Sequence, residues 1–139
     1  MKKLVLAGVL SLVVLTGCGK KETITCKQTQ TTNGITVDSV VNIDIESNHF
    51  KEINMVVDIE LPDSYLSRKD SVIKQYERMY SNFEKQYGVK PVVSESDKGA
   101  KVEMKMTAEQ AKKFSGSNND KATRKDVINM FGTQGFDCK

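Results

Sequence analysis

The chain is 139 residues long, with 21 basic and 18 acidic side chains, three cysteines, one histidine and no tryptophan. That length fits one domain with a modest core and excludes the two-lobed architecture of large solute-binding proteins. Two of the basic residues, Lys2 and Lys3, stand at the very start; without them the balance is 19 against 18, which excludes the strong positive field that nucleic-acid binding depends on.

Met1-Lys2-Lys3 is a short positive segment, and residues 4–15 carry no charge and are mostly Leu and Val. A membrane-spanning helix needs about 20 apolar residues, so this run reads as the apolar region of a secretory signal. Thr16 and Gly17 are small and lead into Cys18. Leu15-Thr16-Gly17-Cys18 resembles the lipobox of bacterial lipoproteins. The resemblance implies a diacylglycerol on the Cys18 sulfur, cleavage before Cys18, and acylation of the new amine by a chain such as palmitate. Two or three acyl chains anchor a protein far better than one. The expected boundaries are a signal peptide over 1–17, a lipidated cysteine and tether over 18–23, and one domain over 24–139. The expected location is the extracytoplasmic face of the cell membrane. Six residue steps from Cys18 to Ile24 reach at most about 20 Å, which keeps the domain close to the bilayer. Lys20 and Lys21 stand where anionic head groups would meet them, and serve equally as solvated flanks. With Cys18 taken by lipid, Cys26 and Cys138 remain as an even pair, and an oxidising compartment preserves such a pair as a disulfide.

Residues 24–32 form a polar, Thr-rich run with strand character. Asn33-Gly34 follows, a two-residue hairpin signal, because both central positions of a type I′ turn need positive φ. Ile35, Val37, Val41, Ile43 and Ile45 then alternate with Thr36, Asp38, Asn42, Asp44 and Glu46, which predicts a half-buried strand over 35–46. Ser47-Asn48-His49 is expected to turn. A third strand over 50–61 places Ile53, Met55, Val57, Ile59 and Leu61 on one face, and Pro62-Asp63 ends it. The period then changes. Val72, Ile73, Tyr76, Met79, Tyr80, Phe83 and Tyr87 recur at three- and four-residue steps, which predicts an amphipathic helix over 67–87 lying across the apolar face of the sheet. Ser67 with Asp70 has the spacing of a capping box, and Gly88 suits the helix end.

A second hairpin joins residues 89–95 to 100–106 around Asp97-Lys98-Gly99. Its second strand sets Ala100, Val102, Met104 and Met106 on one face and Lys101, Glu103 and Lys105 on the other. Thr107 with Gln110 opens a short helix to Phe114, residues 117–121 are a loop, and Thr123 with Asp126 opens a last helix with Val127, Ile128, Met130 and Phe131 apolar. The fold class is therefore α+β: an antiparallel sheet, built as a meander plus a second hairpin, with one long and two short helices packed mainly on one face.

The turns also set a register. Thr32 faces Ile35, which puts Cys26 opposite Val41 and Ile24 opposite Ile43, so Cys26 points into the core. A three-residue turn over 47–49 puts Ile43 opposite Ile53, Val41 opposite Met55 and Val37 opposite Ile59. The same register puts Asp38 opposite Asp58 and Asp44 opposite Glu52, and like charges directly opposed are unfavourable. A bound cation or a basic partner on this face would offset them; so would Lys101 and Lys105 from a neighbouring strand. At the other end of the chain Phe136 is expected to be buried near the end of the sheet, and a Cys26–Cys138 bond would tie the first strand to the last residues.

The lipobox, Thr25-Cys26-Lys27, the Asn33-Gly34 hairpin, the long helix and the closing helix before Gly135-Phe136 together resemble the YehR-like small bacterial lipoproteins. The resemblance covers most of residues 18–139. It implies a fold and a location, with no activity, cofactor or site residues to carry over.

Residues suited to catalysis are few. His49 is the single histidine and falls in a polar turn; the sequence has no Gly-x-Ser-x-Gly elbow and no Gly-rich phosphate loop. Met104 and Met106 offer thioethers of the kind Cu(I) takes, yet they share an apolar face with Val102 and read as core. Asn118-Asn119-Asp120 has too few ligands for a calcium loop and reads as turn chemistry. Tyr65, Tyr76, Tyr80 and Tyr87 are of a type that stacks on a sugar or peptide, but the last three share the helix's apolar stripe. No catalytic residue, metal ligand or cofactor is expected. The sequence supports a membrane-anchored extracytoplasmic lipoprotein acting as a binding or interaction module, with Asp38, Asp44, Glu52 and Asp58 as its face and an envelope protein or ligand as its partner. The alternatives are a carrier of a small ligand or metal and a small cell-envelope enzyme. An apolar cavity between sheet and long helix would favour the carrier, a polar pocket holding His49 with a carboxylate the enzyme, and a packed core the module.

Overall fold

The computed structural model describes residues 20–115 and 121–139, so that the signal peptide expected over 1–17, Cys18 and Asn118-Asn119-Asp120 lie outside the described residues. Three 12-residue strands come first: β1 (Lys21–Thr32), β2 (Ile35–Glu46) and β3 (His49–Glu60). The β1–β2 turn has Asn33 at φ 53° and Gly34 at φ 78°, the left-handed pair that a two-residue hairpin demands. Cys26 pairs with Val41 and Ile24 with Ile43, as the turn dictates. β1 starts earlier than its polar sequence suggests: Lys21, Glu22 and Thr23 pair with Glu46, Ile45 and Asp44. Residues 21–23, expected to belong to a tether over 18–23, are strand instead, because β2 runs on to Glu46 and offers backbone partners regardless of side chain.

The β2–β3 connection reaches the expected register by another route. Ser47 and Asn48 form a two-residue turn, both with positive φ (54° and 60°), and His49 is already in β3, opposite Glu46. Left alone, that turn would set apolar Ile43 against Glu52. A bulge corrects it: Ile45 pairs with Phe50 but Asp44 pairs with Glu52, so Lys51 is the extra residue. Beyond the bulge Ile43 faces Ile53, Val41 faces Met55 and Val37 faces Ile59. Burial of one face forces this choice, since a one-residue slip would turn every side chain over.

After β3 the chain makes a single helical turn, α1 (Asp63–Leu66), behind Pro62, and then the long helix α2 (Lys69–Tyr87). The Ser67–Asp70 capping box does not form. Ser67 closes α1 in right-handed helical geometry (φ −65°, ψ −18°), whereas a capping residue must be extended; Arg68 takes the N-cap position with no side-chain bond. Gly88 ends α2 in the left-handed conformation at φ 70°. The second hairpin is β4 (Val92–Ser96) and β5 (Gly99–Thr107). Gly99 is required there, because a Cβ would lie 1.9 Å from the Ile59 carbonyl oxygen. Two short helices follow, α3 (Ala108–Ser115) and α4 (Arg124–Gly132). Both expected capping boxes are made: Thr107 with Gln110 at 3.0 and 3.3 Å, and Thr123 with Asp126 at 3.0 and 3.2 Å.

A two-residue strand, β6 (Asp137–Cys138), completes an antiparallel six-stranded sheet of order β4-β5-β3-β2-β1-β6. Thr25 and Lys139 exchange backbone hydrogen bonds of 2.9 Å in both directions. Cys26 and Cys138 occupy the next pair and are bonded, with Cα atoms 4.0 Å apart. That is nearer than the usual range of about 4.4–6.8 Å, and it follows from strand pairing, where positions between ladder bonds bring Cα atoms to about 4.5 Å.

One face of the sheet and the helices bury a continuous core that includes Ile24, Cys26, Val41, Ile43, Val102, Met104 and Met106, capped by Ala111, Val127 and Phe131. Full burial of each aliphatic side chain stabilises by about 1.5–3 kcal/mol. The long helix does not cross the middle of this face. Its neighbours are β4, β5 and α3, and none of its residues is buried. Tyr76, Tyr80 and Tyr87 on its stripe keep it at the rim, since a phenol needs a polar outlet for its hydroxyl. The centre is covered instead by α3 and α4. Phe136 is half-buried, its ring edge-on to Phe131 at 5.5 Å.

Candidate functional site

All three longer helices pack on the core side, so among the described residues no helix covers the opposite face of the sheet. Period-2 alternation places on it Thr23, Thr25, Thr29 and Thr31 of β1, Asp38, Asn42 and Asp44 of β2, and Glu52, Asn54 and Asp58 of β3. Cross-strand hydrogen bonds hold these side chains in rows. Thr23 Oγ1 donates to Asp44 Oδ1 at 2.7 Å, Thr25 Oγ1 to Asn42 Oδ1 at 2.8 Å, and the Thr29 hydroxyl to the Asp38 carboxylate. The hydroxyls of Thr31 and Thr36 meet at 3.1 Å. The Thr-rich composition of β1 is thus a row of short donors opposite the acceptors of β2.

The four carboxylates do not form one cluster. Asp44 faces Glu52 and Asp38 faces Asp58, but the two pairs are neutralised unequally. Glu52 accepts a hydrogen bond from Asn54 Nδ2 at 2.8 Å and an ion pair from Lys105 Nζ at 3.1 Å. These two bonds, Asn54 first, hold its carboxyl below the usual carboxylate range. Asp44 has Thr23. Lys101 stands opposite Asp58 in the ladder, yet its ammonium lies against Glu103 at 3.1 Å. Among the described residues no ion pair reaches Asp38 or Asp58. The expected four-residue acidic face therefore narrows to Asp38 and Asp58, both exposed. Among the described residues no three His, Cys, Asp or Glu side chains come together as a metal ion would need.

A second feature, absent from the sequence reading, lies on the other side of the sheet. Between α3 and α4 an apolar cleft of about 80 Å³ opens over Val41, Ile53, Met55 and Met106. Ala111 and Phe114 form one wall and Met130, Phe131 and Phe136 the other; Gln134 is its one polar lining residue. Phe114 is 41% exposed at the rim and also touches Phe83 and Tyr87 of α2, with ring centres at 5.7 and 5.5 Å. Ligand pockets usually enclose about 300–1,000 Å³, so this cleft takes no more than one small apolar group. Ala111 and Phe114 are three apart on α3 and so share a helix face, but nothing local shows that α4 would stand opposite.

The other candidate residues fall in structural places. Met104 and Met106 are 4% and 2% exposed in the core. His49 is half-buried at the start of β3, not in the turn, with Glu46 opposite it in the ladder and an isolated bridge to Lys121. Tyr76, Tyr80 and Tyr87 are half-buried; burial, with Tyr76 beside it, pushes the Tyr80 phenol up. Tyr65, in α1, is exposed apart from that stripe. Compared with protein families, characterised proteins and solved structures, the chain matches none.

Proposed function

We propose that the protein is a lipoprotein of the bacterial cell envelope, of the YehR-like kind, held at the membrane by lipid on Cys18 and acting as a binding module for a basic partner. The anchor rests on the signal architecture of residues 1–18. The binding role rests on one observation: the sheet turns an ordered face outward that no described helix covers, and Asp38 and Asp58 oppose one another on it with no ion pair among the described residues. A basic group seated between them would relieve the repulsion that folding leaves in place. The alternatives have less to stand on. A carrier would need more room than the cleft of about 80 Å³ supplies, and an enzyme would need His49 in a polar pocket rather than in the strand ladder.

Two measurements test the reading separately. Mass spectrometry of the mature N-terminus should find a lipid-modified Cys18; a protein that starts at Met1, or an unmodified Cys18, removes the anchor. Photo-crosslinking from Thr36 on the outer face, in the native envelope, should capture a basic protein in wild type and lose it in an Asp38→Asn, Asp58→Asn double variant. Capture that survives the double variant removes the carboxylate pair as the site.

A further inference from the structure

Two residue steps separate Cys18 from Lys20, a reach of at most about 7 Å. Lys20 is already tied to the domain: its carbonyl accepts a hydrogen bond from Ser47 N at 3.1 Å, and β1 begins at the next residue. Given the lipid on Cys18 proposed above, on which this inference rests, one particular end of the sheet must meet the bilayer. It is the end of the Ser47-Asn48 turn. The start of α3 lies there too, since Thr107 pairs with Glu52 at the end of β5. So does the start of α4, since Ala122 N donates to Asn48 O at 2.8 Å.

Cationic side chains gather at this end. Lys20 and Lys21 precede and open β1, Lys51 is the bulge residue of β3, Lys121 bridges to His49, and Arg124 and Lys125 form the first turn of α4. The acids that stand among them are each engaged: Glu22 by Arg124 at 2.6 Å, Glu46 by Lys51 at 3.0 Å and Glu52 by Lys105 at 3.1 Å, while Asp44 accepts a hydrogen bond from Thr23 and Asp126 from Thr123. The opposite end has the reverse character. Gly34 lies beside Pro62, Leu61 N bonds Lys98 O at 2.8 Å, and the exposed charges there are Asp63 and Asp97, with Lys98 paired to Glu60 at 3.5 Å. Charge is thus polarised along the strands, positive where the chain leaves for the membrane.

We propose that the end formed by Lys20, Lys21, Lys51, Lys121, Arg124 and Lys125 docks on anionic phospholipid head groups, so that the strands rise away from the bilayer. Electrostatic attraction acts over about 8 Å at physiological ionic strength, and the short tether keeps these cations, rather than any others, within that range. The orientation also decides what the rest of the domain does. A sheet lying flat would press Asp38 and Asp58 against anionic lipid, whereas a sheet standing on its cationic end presents them to the envelope.

The test uses the mature lipidated protein in nanodiscs of equal parts phosphatidylglycerol and phosphatidylcholine, with spin-labelled head groups. Mass spectrometry of the same sample establishes lipid on Cys18 first, so that loss of the anchor and loss of the orientation are told apart. Paramagnetic broadening of backbone amides is expected at Ser47, Asn48, Lys51 and Lys125 and not at Asn33, Gly34 or Asp97. Replacing Lys21 and Lys125 by Gln should reduce it roughly fivefold per lysine, and discs of phosphatidylcholine alone should reduce it likewise. Broadening at the far end or on the outer face overturns the proposal. So does broadening at the near end that neither the substitutions nor the neutral lipid diminish.

Discussion

Reducing the Cys26–Cys138 bond isolates what the last residues contribute. The two cysteines are 112 residues apart. In the chain-entropy model, opening a loop of that length returns about 4.8 kcal/mol of freedom to the unfolded chain at ~25 °C, an upper bound. Domains of this size are stable by about 5–15 kcal/mol in total, so reduction removes at most about a third of the stability at the upper end of that range and at most nearly all of it at the lower end. The structure also locates the loss. Without the bond, β6 is held by the Thr25–Lys139 backbone pair at 2.9 Å, the Gln28 Nε2 bond to Gln134 O at 2.8 Å, and the ring contact of Phe136 with Phe131. Urea unfolding of the oxidised and reduced forms, followed by circular dichroism, should give midpoints about 2 M apart for a slope near 2 kcal/mol/M. Hydrogen exchange in the reduced form should accelerate first at Thr25 and Lys139 and last at Ile43, in the buried centre of the sheet. Coincident midpoints would refute the reasoning, and so would titration of two free thiols in never-reduced protein unfolded in urea.

Three further outcomes follow from other parts of the molecule. Asp38→Asn removes one of two opposed charges and keeps an oxygen for the Thr29 hydroxyl, so thermal unfolding should shift upward by about 0.5 kcal/mol of stability; a downward shift contradicts the like-charge argument. Ala111→Leu should fill the cleft between α3 and α4 and stabilise by about 1 kcal/mol or more, whereas a cleft that is closed in solution would make the same change cost about 1–3 kcal/mol. Thr123→Ala should cost about 1 kcal/mol by uncapping α4. Its partner Asp126 is held below the ordinary carboxylate value of 3.8 by hydrogen bonds from the Thr123 backbone and side chain. A carboxylate depressed on folding stabilises fully above its unfolded pKa and loses that contribution as pH falls through its lower folded value. Wild type should therefore lose stability relative to Asp126→Asn on acidification below about pH 4, and parallel curves for the two proteins would show that the bond carries no charge dependence.

The Asn33-Gly34 turn was sufficient to pair Cys26 with Val41, and the alternation in residues 35–60 with the offset of the turn after Glu46 was sufficient to pair Asp38 with Asp58, because a buried face tolerates a single register. It could not show how the register is reached. The two-residue turn and the Lys51 bulge add up to the same offset as a three-residue turn, and a sum does not reveal its parts. Ser67 and Asp70 misled for a different reason: the letters of a capping box are local, but Pro62 and Asp63 had already started a helical turn that claimed Ser67 as its end. The narrowing of the acidic face to Asp38 and Asp58 depends on where the Lys101 and Lys105 ammonium groups settle. That is decided by a strand more than 40 residues further on, and no pattern within residues 35–60 contains it. The cleft was illegible for the same reason, since it exists only where two helices from separate segments stand over one sheet.

The strand order has a consequence in time. β1, β2 and β3 are consecutive in sequence and adjacent in the sheet, so they are ready to pair as soon as residue 60 has emerged. Both of their edges and their apolar face are then still bare: β5 has yet to arrive on one side, β6 on the other, and α3 and α4 over the top. A three-stranded meander with an exposed row of Ile24, Val41, Ile43 and Ile53 is a template for pairing with other chains. A chain synthesised N-terminus first must wait in that state until its second half follows. Truncation anywhere between β3 and α4 would make the waiting permanent, and would turn a self-contained domain into a sticky sheet.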